Sequence, residues 1–262
     1  MKIATWNINS VRLRIEIVKD FLKESDTDIL CLQETKTPDE FFPLQPIIDI
    51  GYKHTVFSGE KSYNGVAIIS RIPLQNVKTE NFINKHKRHI SAILPDETEL
   101  HNFYIPAGGD EPDPVINPKF KHKLDFYDEI TGWFAKNKKN SDKIIMVGDL
   151  NTAPLENDVW SHKQLLNVVC HTPIEVEKME NLRRTLNWVD TSREFTPAEE
   201  KLYSWWSYRN RDWRKSNRGR RLDHIWITQP LKEKLKAGYV IKEMRDAPLP
   251  SDHVPVVAEF KL

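Results

Sequence analysis

Ile144-Ile145-Met146-Val147-Gly148-Asp149-Leu150-Asn151 joins four apolar residues to a glycine and then to two polar side chains set two positions apart. A short apolar run closed by a glycine reads as a buried strand. The glycine permits a sharp turn, and side chains two apart on extended chain point the same way. Taken alone, Asp149 and Asn151 fit an ordinary Asx turn as well as a site. The pattern recurs at Ile29-Leu30-Cys31-Leu32, apolar enough for burial on both faces, which runs into Gln33-Glu34-Thr35. A carboxylate at the end of such a strand must be solvated, paired or metal-bound.

Further short runs rich in β-branched residues lie at Lys2–Trp6, Asp28–Gln33, Val66–Ser70, His89–Leu94, His101–Ile105, Leu222–Thr228 and Val254–Phe260. Helical spacing is clearest after Asn117-Pro118, a capping residue and a first-turn proline ahead of Phe120, Leu124, Tyr127, Ile130 and Phe134. Weaker helical periodicity runs from Ile15 to Leu22 and from Glu177 to Trp188. Strands outnumber helices and are spread along the chain, which predicts an α/β sandwich rather than a bundle or a strictly alternating doubly wound sheet.

The 262 residues are 39% hydrophobic and 29% charged, too mixed for disorder. No linker, low-complexity tract or fixed-period repeat interrupts them, so one domain over 1–262, working as a monomer, is expected. No apolar run approaches the ~20 residues that span a bilayer, and the strand-like start does not read as a signal peptide. A soluble protein of a bacterial-type cytoplasm, with no membrane partner, is the expectation. Two cysteines, Cys31 and Cys170, make neither a disulfide framework nor a thiolate zinc site. Lys plus Arg number 39 against 38 Asp plus Glu, so only local charge bears on a polyanionic partner.

That local charge is at Arg209–Arg221, where seven basic residues (Arg209, Arg211, Arg214, Lys215, Arg218, Arg220 and Arg221) face one acid within thirteen positions. Ser204-Trp205-Trp206-Ser207-Tyr208 precedes it. Phosphate-neutralising cations beside stacking aromatic faces suit a DNA-facing loop. A solvated charge run with its tryptophans in the core is the plainer alternative.

Ser251-Asp252-His253-Val254-Pro255 sets a histidine beside a carboxylate at the start of the last strand-like run. A carboxylate bonded to one ring nitrogen fixes the tautomer and raises basicity. Sequence neighbours on a strand face opposite ways, so Asp223 from another strand serves as well as Asp252. Glu34, Asp149, Asp223, Asp252, Asn7, Asn151, Tyr104 and His253 together offer hard oxygen donors and one imidazole. That set suits magnesium, with manganese as a substitute, and hydrolysis of a phosphoester.

The segments Ile3-Ala4-Thr5-Trp6-Asn7-Ile8-Asn9, Leu32-Gln33-Glu34-Thr35-Lys36, Gly65-Val66-Ala67, Tyr104-Ile105-Pro106, Gly148-Asp149-Leu150-Asn151, Arg221-Leu222-Asp223 and Ser251-Asp252-His253-Val254-Pro255 resemble, in order, the signatures of the exonuclease III type of abasic-site endonuclease, from residue 1 to about 260. The resemblance implies a four-layer αββα sandwich of two mixed, mostly antiparallel sheets flanked by helices. It implies Glu34 as principal magnesium ligand with Asn7 close by and Asp252 as a second metal or support position. Asp149, helped by Asn151, would orient or deprotonate water, while His253, held by Asp223, would bind the scissile phosphate. Tyr104 would touch the phosphate or assist the leaving oxygen, Lys121 would meet the DNA backbone, and Trp205 would line the pocket for a flipped-out abasic sugar. Ala107 departs from the pattern, where a glutamine reaches the duplex.

The implied activity is magnesium-dependent cleavage 5′ to abasic sites in double-stranded DNA, with 3′→5′ exonuclease and 3′-phosphatase activity on damaged 3′ ends. Two other readings stand beside it: a phosphodiesterase or phosphatase of the same fold acting on RNA, lipid headgroups or inositol phosphates, and a catalytically silent DNA-binding scaffold.

Overall fold

The computed structural model describes residues 1–210 and 212–261; Arg211, one of the expected DNA-facing cations, lies outside them. One six-stranded sheet runs in the order β13 (Leu235–Val240), β14 (Val256–Phe260), β1 (Lys2–Asn7), β2 (Ile29–Gln33), β4 (Val66–Ser70), β3 (Val56–Ser58). The other runs β5 (Gln75–Lys78), β6 (His89–Ile93), β7 (Glu99–Tyr104), β8 (Ile144–Asp149), β12 (Asp223–Ile227), β9 (Val189–Asp190), and a separate hairpin pairs β10 (Trp205–Trp206) with β11 (Gly219–Arg220). Both large sheets are mixed: β1 with β2 and β7 with β8 are parallel, and the remaining pairs are antiparallel.

Alternation along the strands dictates the layering. Ile3, Ile29, Cys31, Val66 and Ile68 of the first sheet pack with Ile90, Leu100, Ile145, Val147 and Ile225 of the second in one buried core. The opposite face of the first sheet, with Ala4, Trp6, Leu30, Leu32 and Ile69, takes α1 (Ile15–Ser25) and α2 (Leu44–Ile48) through Val18, Phe21, Leu22 and Ile47. The outer face of the second takes α3 (Pro118–Asn137) and α5 (Pro173–Thr185), while α4 (His162–Leu165) and α6 (Trp213–Ser216) are single turns. Four layers result, as the resemblance implies.

The Asn117 side chain caps α3 and Pro118 opens it, as read from the sequence. Several boundaries differ by one or more residues, two of them for an identifiable local reason. The helix expected over Glu177–Trp188 runs over Pro173–Thr185, because Thr172 and Glu175 form a reciprocal capping box upstream of Glu177. The last strand starts at Val256 rather than Val254, since Pro255 has no N–H for a ladder. Strands β3, β5 and β13 carried no clear apolar signal: β5 is an exposed edge, and β13 is interrupted by Gly238, where a Cβ would meet the Thr191 carbonyl oxygen at 2.1 Å. No helix among the described residues is long and apolar enough to cross a membrane.

Candidate active site

Parallel neighbours finish at the same edge of a sheet, and two such pairs finish together here. Asn7 stands opposite Gln33 at the ends of β1 and β2, so Glu34 leaves the sheet beside Asn7. Tyr104 stands opposite Asp149 at the ends of β7 and β8, and Asp149 is opposite Asp223 at the start of β12. The sheets are joined at this edge by Asn7, whose Nδ2 donates to Glu34 Oε1 at 2.9 Å and to Asp149 Oδ2 at 2.8 Å. Gly148 lets β8 run close against β7 here, with φ +147° and an added Cβ 1.9 Å from the Phe103 carbonyl oxygen. Strand β8 therefore continues through the glycine, and the turn follows Asp149. There Asn151, at φ 52°, donates to Asp149 from its backbone at 2.9 Å and from Nδ2 at 3.1 Å.

The Asx turn and the polar site are thus the same structure. His253 Nδ1 lies 2.8 Å from Asp223 Oδ2, and its Nε2 lies 3.7 Å from Asp149 Oδ2. Of the two carboxylates open to His253 in the sequence, the fold selects Asp223. Ser204 Oγ donates to the same Asp223 oxygen at 2.6 Å and accepts from the Leu222 and Asp223 backbone N–H groups. Burial raises the Asp149 pKa to about 7, helped by the nearby Asp223 and Glu34 charges and opposed by His253. Burial alone would lower the His253 pKa, but Asp223 and Asp149 outweigh it and raise it to about 10. The histidine is therefore a cation at neutral pH, and the carboxylate beside it is poised to exchange a proton.

Glu34 sits at φ 50°, a conformation costly for a residue with a Cβ and often found at working sites. Its Oε1 also accepts from the Tyr104 hydroxyl at 2.7 Å, and its Oε2 pairs with Lys36 Nζ at 2.6 Å. Burial acts to raise the Glu34 pKa, but Lys36, Asn7 and Tyr104 together hold it below the usual range. The Tyr104 phenol is pushed well up by burial and by Glu34 and Asp149, so it stays a donor.

These donors fit a hard divalent cation. Asp149 and Asp223 offer carboxylate oxygens within 4.8 Å of one another, and both are buried, as is His253 beside them. Asp223 Oδ1 is buried with no partner, and Glu34 already accommodates one positive charge, that of Lys36. Oxygen predominates and no thiolate is present, as magnesium or manganese requires. Asp252 is differently engaged: Oδ1 accepts from Asn9 Nδ2 at 3.1 Å and Oδ2 from Trp205 Nε1 at 3.0 Å.

Above this floor opens a cavity of about 680 Å³ lined by Glu34, Asp149, Asn151, Asp252 and His253. Its walls include Trp205, Arg209, Arg218 and Arg220. The Arg220 guanidinium stacks on Trp205 at 5.1 Å and Arg218 on Trp160 at 4.7 Å, so both cations are braced by aromatic faces. Two expected cations stand apart. Lys121 is on the exposed face of α3, paired with Asp125, and Arg214 pairs with Asp246 beside a different crevice containing Trp206 and Trp213.

In the sequence Lys123 belongs to the basic cluster Lys119–Lys123, which reads as a further DNA-facing patch or a solvated helix face, and the structure corrects both readings. It is fully buried on the inner stripe of α3, donating to the Asn151 carbonyl at 2.6 Å and to Glu175. The available signal was its place three residues after Phe120 and four before Tyr127, on the apolar face. Arg88, in the basic cluster Lys85–His89 that reads from sequence as a solvated edge, donates to the Tyr104 carbonyl at 3.2 Å and covers the Tyr104 ring at 4.6 Å.

A model of the endonuclease/exonuclease/phosphatase family matches residues 4–253. The chain is 30% identical over 273 residues to exodeoxyribonuclease III of Haemophilus influenzae, covering 100% of both chains. The structure of an AP endonuclease from Archaeoglobus fulgidus is similar with TM-score 0.92 at 35% identity, over 100% of each chain. A 3′ phosphatase from Neisseria, solved bound to product DNA hairpin, is similar with TM-score 0.92 at 32% identity, again over 100% of each chain.

Proposed function

The chain belongs to the exonuclease III/AP endonuclease branch of the endonuclease/exonuclease/phosphatase family, and from that premise we propose that it is a magnesium-dependent DNA phosphodiesterase cleaving 5′ to abasic sites. The observation that carries this reading is the meeting of Glu34, Asp149 and His253 on one cavity floor beneath Trp205 and three arginines. Anionic floor chemistry and cationic aromatic walls suit a phosphodiester held by its flanking phosphates.

Glu34, with Asn7 and Tyr104 orienting it, would hold the metal, while Asp149 and Asp223 stand within reach as further oxygen donors. When bound, the cation would neutralise charge on the phosphoryl oxygens and lower the pKa of water. Asp149, its pKa near 7, accepts the proton of the attacking water, and Asn151 and Asn7 keep that carboxylate oriented. His253 enters as imidazolium and donates Nε2–H to a phosphoryl oxygen, with Asp223 holding Nδ1. Water adds to phosphorus and the bond to the 3′ oxygen breaks; that oxygen takes a proton from solvent, Asp149 returns its own to solvent, and the products are a 3′-hydroxyl and a 5′-phosphate on the abasic sugar. Trp205 would wall the pocket for that sugar. The same floor would take a terminal phosphate, and 3′→5′ exonuclease and 3′-phosphatase activity on damaged ends belong to the same proposal.

The test is incision of a duplex carrying one abasic-site analogue, with magnesium or with EDTA, by wild type, Glu34→Gln and His253→Ala, each checked for folding by circular dichroism. Magnesium-dependent cleavage at the lesion, lost in both variants, is expected. Absence of cleavage by folded wild type with magnesium or manganese would overturn the reading in favour of another phosphoester or a silent DNA binder.

A further inference from the structure

His162 and His171, nine positions apart, meet with His162 Nδ1 2.8 Å from His171 Nε2. The active site uses neither ring. The stretch they bracket supplies Leu165, Val168, Val169 and Cys170 to the cavity lining, so the pair closes a segment of the cavity wall at its two ends.

The neighbours of the two rings fix their protons. His171 Nδ1 lies 2.6 Å from the Ala153 carbonyl oxygen, which can only accept, so that nitrogen carries a proton. Burial lowers the His171 pKa against the pull of the Ala153 bond and keeps the ring neutral. Its Nε2 therefore presents a lone pair to His162, and one proton on His162 Nδ1 fills the space between the rings. The far nitrogen of His162, Nε2, faces the Glu156 carboxylate at 3.6 Å. In a neutral His162 that places a lone pair against an anion. Moving the proton from Nδ1 to Nε2 would give Glu156 a donor and leave two imidazole lone pairs converging on one point.

Histidines that bind a metal hold the far ring N–H on a carbonyl or carboxylate oxygen, as both rings do here. Imidazole pairs suit zinc, copper or nickel, unlike the oxygen donors of the active-site floor. We propose that His162 and His171 form a second cation site, for a borderline divalent ion such as zinc, with Ala153 and Glu156 holding the outer nitrogens and water completing the coordination. Side chains of His162 and Glu156 are 38% and 76% exposed, so the ion enters from solvent and His162 is free to turn. A small rotation opens the 2.8 Å separation to the roughly 3.3 Å that two Zn–N bonds span at a tetrahedral angle. Ala153 N–H also donates to the Cys170 carbonyl at 2.8 Å, so a bound ion would clasp the wall segment to the turn that follows Asn151. An ion held only by the folded chain stabilises it in proportion to its occupancy.

The test needs no DNA. The full chain is titrated with zinc in excess magnesium, added to fill the hard-donor floor, and thermal unfolding is followed. Zinc should raise the melting temperature of wild type and of His253→Ala and leave that of His162→Gln unmoved. Glu156→Ala, a change at an exposed side chain, should need about tenfold more zinc for the same rise. One equivalent of copper(II), read by electron paramagnetic resonance, should couple to two imidazole nitrogens in wild type and His253→Ala and to at most one in His162→Gln. Circular dichroism checks that each variant folds, and the Glu156→Ala shift tests the site without touching either ring. No zinc response in wild type, a response kept in full by His162→Gln, or one lost in His253→Ala would overturn the site, as would copper coupled to a single nitrogen in wild type.

Discussion

The buried ammonium of Lys123 donates to the backbone carbonyl of Asn151 at 2.6 Å, tying the inner face of α3 to the turn that presents Asp149. Its counter-charge, Glu175, is equally buried and accepts the single Cys170 N–H on both carboxylate oxygens at 2.9 Å, so one ion pair fastens two walls of the cavity. Removing one partner of a buried pair leaves the other uncompensated. Lys123→Met should therefore cost about 3–5 kcal/mol in urea unfolding, and Lys123→Met with Glu175→Gln should cost less than the single change. A loss under about 1 kcal/mol for the single variant would refute the fastening role.

Asp223 governs the charge of His253. A histidine whose pKa is raised from 6.5 to about 10 keeps its charge, and the stability that charge confers, from acid pH through neutrality, and loses both as pH climbs through the folded value. Asp223→Asn removes the anion at 2.8 Å and should lower the His253 pKa by about 1–3 units. The alkaline limb of the incision profile should move down with it. Titration of the His253 ring followed by NMR in both proteins checks the shift directly, and identical titration midpoints would exclude the assignment.

Arg218 and Arg220 are proposed phosphate contacts, whereas Arg214 is held by Asp246 away from the cavity. Each lost phosphate contact reduces the slope of log affinity against log salt by about 0.9. Arg218→Ala with Arg220→Ala should flatten the slope by about 1–2 units, and Arg214→Ala should leave it nearly unchanged. Binding of abasic duplex measured across a salt series separates them; a slope insensitive to the pair but sensitive to Arg214 would reverse the assignment.

His89 Nε2 lies 3.0 Å from His101 Nδ1, a buried imidazole pair on neighbouring strands of the second sheet. Burial, and for His89 the neighbouring imidazole, hold the His89 pKa well below 6.5, and burial lowers that of His101 despite Glu99. Folding therefore favours the neutral forms, and this contribution is present above pH 6.5 and lost as pH falls below it. The melting temperature of His89→Gln should fall less between pH 7 and 5 than that of wild type, by at most about 1.4 kcal/mol per pH unit in stability. Parallel melting curves would show that the pair does not titrate on unfolding in that range.

The four carboxylates and His253 were legible because each ends or begins an apolar strand, where a polar side chain stands out against its neighbours. Asn117-Pro118 announced α3 for a local reason as well, since capping and a fixed φ act within one turn. Lys123 was not legible: a lysine on a helix is ordinarily solvated, and only the arrival of Glu175 and the Asn151 carbonyl from elsewhere makes its burial tolerable. Strand β13 was hidden by the lysine, alanine and glycine within it, and the close approach to Thr191 that requires Gly238 is a property of the packed chain.

By itself the sequence determined what depends on near neighbours: strand and helix periodicity, the caps, the hard-donor inventory, and the ordered segments that mark the family. The tertiary structure decided what depends on distance: that Asp223 rather than Asp252 holds His253, that Asn7 joins Glu34 to Asp149 across two sheets, and that Arg220 faces the cavity while Arg214 does not. Periodicity and capping act over a few residues along the backbone, whereas hydrogen bonding, ion pairing and pKa shifts depend on separations in space that strand register and sheet packing alone establish.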